Sequence, residues 1–177
     1  MATADIRAAV QRVEAVLARR PQMGLHADTA ARARWDGDVG VIVEHPNGVR
    51  IRTDMPAELG GRGADVTPGW LMRAGLAACT LTCIALAAAA QGIELQTLEL
   101  TACSESDARG ILGMHDARAR PVQAGPRRVV LSVRIAARGV GAERLQRLIE
   151  DTRRRSPVLC ALEDSVPVAL QIEARGT

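Results

Sequence analysis

The residues AGLAACTLTC, positions 74–83, place two thiols four residues apart in a run of small apolar side chains. On a helix that spacing puts Cys79 and Cys83 on one face. Four chemistries use thiols in this way: packing, metal ligation, a disulfide, or one nucleophile beside a bystander. Two cysteines on one face supply half of a tetrahedral metal site. The remaining ligands are hard to find. Cys103 and Cys160 are single, His26, His45 and His115 are isolated, and no CxxC or CxxCH occurs. A local disulfide is disfavoured by reach. Side chains at i and i+4 hold their Cβ atoms about 5–6 Å apart, and a disulfide needs about 3.5–4.5 Å. Free cysteine otherwise packs as a small hydrophobe, which is the reading for Cys83 and Cys103. For Cys79, packing and nucleophilic chemistry both stay open on the residues alone.

These thiols need a helix to hold them. TPGWLMRAGLAACTLTCIALAAAAQG predicts one over 68–91, with Thr67 as N-cap, Pro68 at the first helical position and Gly92 as the stop. It is apolar on every side and long enough to raise the question of a membrane span. Arg73 and the Ala, Gly and Thr content favour a buried core helix instead, and no membrane partner is expected. Residues 5–19 carry Ile6, Val10, Val13 and Leu17 at helical spacing, followed by Pro21. TAARARW, VGVIVEH and GVRIRTD read as strands with turns at DGD and PNG. Further strands are expected at LQTLELTACSES, RRVVLSVRIAA and VPVALQIEA, with a long irregular loop over 106–126. GAERLQRLIEDTRRR reads as an amphipathic helix, and SPVLCAL as a short helical turn with Ser156 as its N-cap before Pro157. The Gly-rich LGGRG lacks the GK[ST] ending of a phosphate loop. The fold class is α+β, with mainly antiparallel sheets around a long buried helix. That helix has no polar face, so a second copy of the chain is expected to cover it.

Composition narrows the partners. The chain of 177 residues has no Phe, Tyr or Lys, and only Trp35 and Trp70 as aromatics. The net charge of +3 comes from arginines mixed with acids, except at Arg153, Arg154 and Arg155. Without a basic stripe or stacking aromatics, no nucleic-acid partner is expected. MATADIRAAVQRV lacks the apolar core of a signal peptide, so the expectation is a reducing cytoplasm with free thiols.

Two stretches resemble a known family. ADVTPGWLMRAGLAACTLTCIALAAAAQGIELQTLEL is similar to the core segment of the OsmC family, which includes the organic hydroperoxide resistance proteins. SPVLCALEDSVPVALQIE resembles its second motif. The resemblance spans roughly residues 28–174; residues 1–24 then form an N-terminal amphipathic helix and 25–177 an OsmC-like domain. It implies an intertwined homodimer and a thiol peroxidase of the oxidative stress response, with Cys79 as peroxidatic nucleophile and no cofactor. A small-molecule hydroperoxide and an external thiol reductant are the implied partners. Three departures stand beside it. Gly69 occupies the place of the family's Glu, and Ser156 that of its resolving Cys, with Cys160 four residues later. The family's activating Arg has Arg32 and Arg34 as candidates, with Arg62 behind them.

The chemistry sets requirements. Thiolate is the nucleophile, and an ordinary Cys has a pKa of about 8.5. Cys79 sits roughly three turns past Pro68, beyond the reach of the helix dipole. Arg73, about 600° around the helix from Cys79, points elsewhere. Ser156 cannot form a disulfide, so an external thiol is the expected resolver and Cys160 at best a slow one. Two other readings are a non-catalytic OsmC-like dimer that binds a small apolar ligand, and acyl or thioester chemistry at Cys79, for which no Cys–His–Asn/Asp arrangement is visible.

Overall fold

The computed structural model describes residues 3–164 and 166–176. Its centre is the helix α2, Pro68–Ala90, which begins and ends where its residue types dictate. Thr67 Oγ1 accepts the Trp70 N–H at 3.1 Å, and Pro68 takes the first helical position, where a missing N–H costs nothing. At the other end Gly92 adopts φ +69°, and Ile93 N–H bonds back to Ala88 O at 2.9 Å, a Schellman closure. Helix α1, Thr3–Arg19, docks there: Arg7 Nε donates to Ala89 O at 3.1 Å, a cation on helix carbonyls. A Cβ on Gly92 would push aside the mobile end of Arg7, whose guanidinium stands 1.6 Å from that place; it is the positive φ that calls for glycine here.

Beneath α2 lies an antiparallel pair, β4 (Leu95–Glu105) and β5 (Arg128–Ala137), in register from Thr97/Ala136 to Glu105/Arg128. Their burial alternates along each strand, as a period of two requires for a sheet with one covered face. Helix α4, Ala142–Thr152, packs Leu145 and Leu148 into the same core as Ile84, Ala87, Ala88 and Ile93. A 3₁₀ turn, Arg153–Arg155, then leads into the short helix α5, Pro157–Glu163, which packs against α2. The α2 helix is long and apolar enough to cross a membrane; here β4, α1, α4 and α5 pack against part of it, and 28% of its most apolar stretch is buried within one chain.

The second sheet is a meander, β1 (Arg32–Trp35), β2 (Val41–Glu44) and β3 (Arg50–Thr53), with each neighbour antiparallel. Register pairs Ala33, Val43 and Ile51 on one face, beside Trp35, Val41 and Thr53. The other face carries Arg34, Glu44, Arg50 and Arg52, laced by ion pairs with Asp36 and Asp65. The Gly-rich loop that follows turns its N–H groups inward. Asp54 accepts from Met55 N at 2.8 Å, Arg62 N at 2.9 Å and Ala64 N at 3.4 Å. An internal carboxylate therefore takes the place that a phosphate has in other glycine loops. A Cβ on Gly61 would stand 1.7 Å from Met55 O, so this wrap admits no side chain there.

Three expectations change. The segment 166–174 forms no strand within the described chain; Val168, Leu170 and Ile172 are 91%, 82% and 79% exposed. An extended apolar stretch becomes a strand only when an edge receives it, and one chain offers it none. Ser156 does not cap α5: its hydroxyl is turned towards α2 instead. The excursion between β4 and β5 is ordered by its own ions rather than irregular throughout. It contains the short helix α3, Ala108–Ile111, and Asp107 binds both Arg109 and Arg127.

The acids that order these loops make a pH prediction. Hydrogen bonds from Arg109, with Arg127 adding charge, hold Asp107 down to about 2. The Met55 N–H, helped by Arg62 and Ala64, holds Asp54 below its usual value. A depressed carboxylate pKa contributes stability that is complete above the unfolded value and is lost as pH falls through the folded one. Amide protection in 107–127 is therefore expected to fall selectively between about pH 4 and about pH 2, and that in 54–66 to fall as pH drops below the ordinary carboxylate range. Asp107→Asn should weaken that dependence in the second loop alone, and Asp116, which hydrogen bonds from Arg120 and Arg118 also hold low, should carry the remainder. Hydrogen exchange that stays level in both loops across this range would contradict the assignment.

Candidate active site

The α2 helix carries Cys79 and Cys83 one turn apart on the side that meets α5. The 3₁₀ turn Arg153–Arg155 ends α4 and delivers Ser156 to that side. Ser156 is fully buried, and Thr80 beside Cys79 is nearly so. Their hydroxyls meet at 3.3 Å, and Ser156 Oγ donates to Cys79 Sγ at 3.4 Å. Buried hydroxyls need partners; this pair finds them in each other and in the thiol. The half-buried Cys79 therefore faces one O–H donor aimed at its sulfur. Ser156 thus acts as a hydrogen-bond donor to Cys79.

Cys83 Sγ donates to Arg155 O at 3.2 Å, and Cys160 Sγ to Arg154 O at 3.5 Å. Burial pushes the Cys83 thiol above its ordinary value, and the neighbouring Cys79 and Cys160 push it the same way. Cys103 lies apart, exposed on β4. The structure thus brings Cys79, Cys83, Ser156 and Cys160 to one seam.

The arginines fall elsewhere. Arg34 sits on β1 with Nη1 3.2 Å from Asp36 and Nε 3.7 Å from Glu44. Arg32, on the same strand, forms no ion pair or side-chain hydrogen bond among the described residues. Arg62 Nη2 is 3.8 Å from Asp38. Arg73 reaches across to β4, donating to Ser104 Oγ at 3.1 Å. Among the described residues no cation contacts Cys79 within one chain, and no three His, Cys, Asp or Glu side chains gather as a metal-ligand set.

Beside the seam a cleft of about 620 Å³ opens between α2, β5, α4 and α5. Leu76, Val133, Ile149, Leu159 and Leu162 line its apolar part, Arg128, Glu150, Arg153 and Glu163 its charged part, and Thr80, not Cys79, reaches it. Sequence reasoning missed Thr80 and this cleft. A hydroxyl beside each cysteine of an aliphatic run, Thr80 and Thr82, was the available signal for the first; the cleft depends on packing between distant elements.

Together these features define an α+β protein built round one apolar helix, with a thiol and a buried hydroxyl pair at its middle. The chain belongs to the OsmC family: the family model described as OsmC-like protein matches residues 61–171, which include both Cys79 and Ser156. Solved structures agree on the fold. The OsmC-like protein of Mycoplasma pneumoniae superposes with a TM-score of 0.65 at 18% identity, over 80% of this chain and 91% of that one. An organic hydroperoxide resistance protein OsmC from Legionella pneumophila gives 0.54 at 24% identity, over 79% and 92%. The organic hydroperoxide resistance protein OhrB of Bacillus subtilis gives 0.51 at 20% identity, over 83% and 98%. No curated protein matches the chain by sequence.

Proposed function

We propose that this chain is a thiol-dependent peroxidase that reduces organic hydroperoxides in the oxidative stress response, with Cys79 as the nucleophile. The observation that carries the reading is the buried Ser156 hydroxyl aimed at Cys79 Sγ at 3.4 Å. It offers a donor to negative sulfur without competing as a thiol. The two neighbours described as organic hydroperoxide resistance proteins point the same way. In the reaction the Cys79 thiolate attacks one peroxide oxygen. An S–O bond forms, the O–O bond breaks, and the alkoxide leaves as alcohol after taking a proton. Two electrons from an external thiol reductant finally return the oxidised site to its thiol state. The apolar part of the cleft that reaches Thr80 suits an alkyl tail better than hydrogen peroxide. Arg34 and Arg32 remain the proposed activating cations, brought to Cys79 by assembly of two copies, because within one chain Arg34 is held by Asp36 and Glu44.

The test is to mix the reduced protein with an alkyl hydroperoxide, and separately with hydrogen peroxide, and follow thiol loss and intact mass. One oxygen added fast at Cys79 by the alkyl peroxide is expected. Ser156→Ala should slow that step about tenfold, the worth of one hydrogen bond to a charged group. Arg32→Ala and Arg34→Ala, in the same assay, identify the cation by which of them slows the step. A Cys79 inert to both peroxides would overturn the reading. The second reading, a non-catalytic dimer that binds a small apolar ligand, draws on the same cleft and on Gly69 in the place of the family's Glu. Ligand-dependent thermal stabilisation in a protein inert to peroxide would favour it.

A further inference from the structure

Three thiols lie in order along three consecutive residues. Cys160 bonds to the carbonyl of Arg154, Cys83 to the carbonyl of Arg155, and Cys79 accepts from the hydroxyl of Ser156. They come from two helices, Cys79 and Cys83 from α2 and Cys160 from α5. The arrangement is a row, with Cys83 between the other two. We infer that Cys83 and Cys160 are a redox pair, closing to a disulfide between α2 and α5 that receives the oxidising equivalent first taken up by Cys79. This rests on the peroxidase reading for its oxidant, the Cys79 sulfenic acid.

Two exchanges complete the transfer. The Cys83 thiolate attacks the Cys79 sulfenic sulfur; an S–S bond forms, the S–O bond breaks, and hydroxide leaves as water after taking a proton. That bond is strained, because the helix holds i and i+4 Cβ atoms about 5–6 Å apart and an unstrained disulfide wants about 3.5–4.5 Å. Strained disulfides are the more oxidising and open readily. The Cys160 thiolate then attacks the Cys83 sulfur, a Cys83–Cys160 bond forms, and Cys79 departs as thiolate. No shared helix fixes the separation of this second pair. Overall the hydroperoxide takes two electrons from two thiols and gives alcohol, water and one disulfide. The external thiol reduces that disulfide, so it enters at Cys160 rather than at Cys79 as the sequence led one to expect. Burial and the two flanking thiols push Cys83 upward. The hand-off should therefore quicken with rising pH, about tenfold per unit while Cys83 remains mostly protonated.

The experiment treats the reduced full chain with one equivalent of cumene hydroperoxide, alkylates it, and maps peptides without reduction. A Cys83–Cys160 disulfide with Cys79 alkylated is the expected result. Cys83→Ala should raise dimedone trapping of sulfenic acid at Cys79 about tenfold, because its thiol partner is gone. Cys103→Ser, on the exposed side of β4, is the control for general thiol loss. If the parent keeps sulfenic acid or a mixed disulfide at Cys79 while Cys83 and Cys160 both alkylate, the pair is refuted and the peroxidase reading stands. A dominant Cys79–Cys160 disulfide refutes it equally. If Cys79 does not react at all, the peroxidase reading falls, and diamide on the same protein decides the pair. A Cys83–Cys160 crosslink then supports it, and any other pairing or none overturns it.

Discussion

Cys79→Ser is expected to lower kcat/KM for an alkyl hydroperoxide by at least about 10³-fold, or about 4 kcal/mol of transition-state stabilisation. The reason is chemical rather than structural. A serine hydroxyl stays protonated near neutral pH and attacks an O–O bond poorly, and oxygen is close enough in size to sulfur to keep the seam intact. Ser156 Oγ stands 3.4 Å from the sulfur and can bond a hydroxyl there as well. The fold should therefore survive, with a thermal midpoint close to the parent's. Cys103→Ser should leave the rate unchanged, since Cys103 is exposed on β4 and the site is on α2. Cys83→Ser and Cys160→Ser should preserve the first stoichiometric burst, because neither thiol meets the peroxide in the proposed reaction. If Cys79→Ser consumes hydroperoxide at the parent rate, the nucleophile has been misassigned and the peroxidase reading goes with it.

The parts of this molecule that were legible in the sequence are those governed by local rules. Thr67, Pro68 and Gly92 announced both ends of α2 because capping chemistry acts within a turn of the residue that supplies it. The β4 and β5 strands were legible from their alternation, because one face of that sheet is buried. Ser156 shows where this reading fails. Before a proline it has the pattern of a helix cap, yet Thr80, 76 positions away in the chain, offered its hydroxyl a buried partner, and the tertiary contact won. The surroundings of Cys83 were hidden for the same reason. From sequence it was one more small apolar residue, and only the fold of the 3₁₀ turn places the Arg155 carbonyl and Cys160 beside it. The glycine loop was legible as something other than a phosphate loop. That its N–H groups serve Asp54 was not, since the carboxylate and its donors are set by the wrap of the whole segment.

The largest effect on assembly is expected at the chain's exposed apolar residues. Val166, Val168, Leu170 and Ile172 occupy alternate positions and are mostly exposed, which is the pattern of a strand with one face to bury. The β1–β3 sheet has the complementary lack: Trp35 is 73% exposed and Ile51 is also uncovered on its apolar face. On α2, Gly75, Ala78, Thr82 and Leu86 form a further exposed stripe. One chain leaves all three surfaces bare, and a second copy of the same chain can cover each with another of the same set. Exchange of the 166–172 segment between copies would also satisfy the unpaired backbone of a sheet edge. We therefore predict an obligate homodimer that buries about 2,000 Å² or more. In sedimentation equilibrium the parent should stay dimeric at nanomolar concentration. Val168→Asp and Leu170→Asp should each weaken the dimer by more than about thirtyfold, taking about 2 kcal/mol as the least cost of losing a central apolar anchor. If the apolar stretch were instead a free tail, both substitutions would leave the dimer intact. A parent that sediments as a stable folded monomer at micromolar concentration would defeat the prediction outright, and with it the proposal that Arg32 or Arg34 reaches Cys79 by assembly.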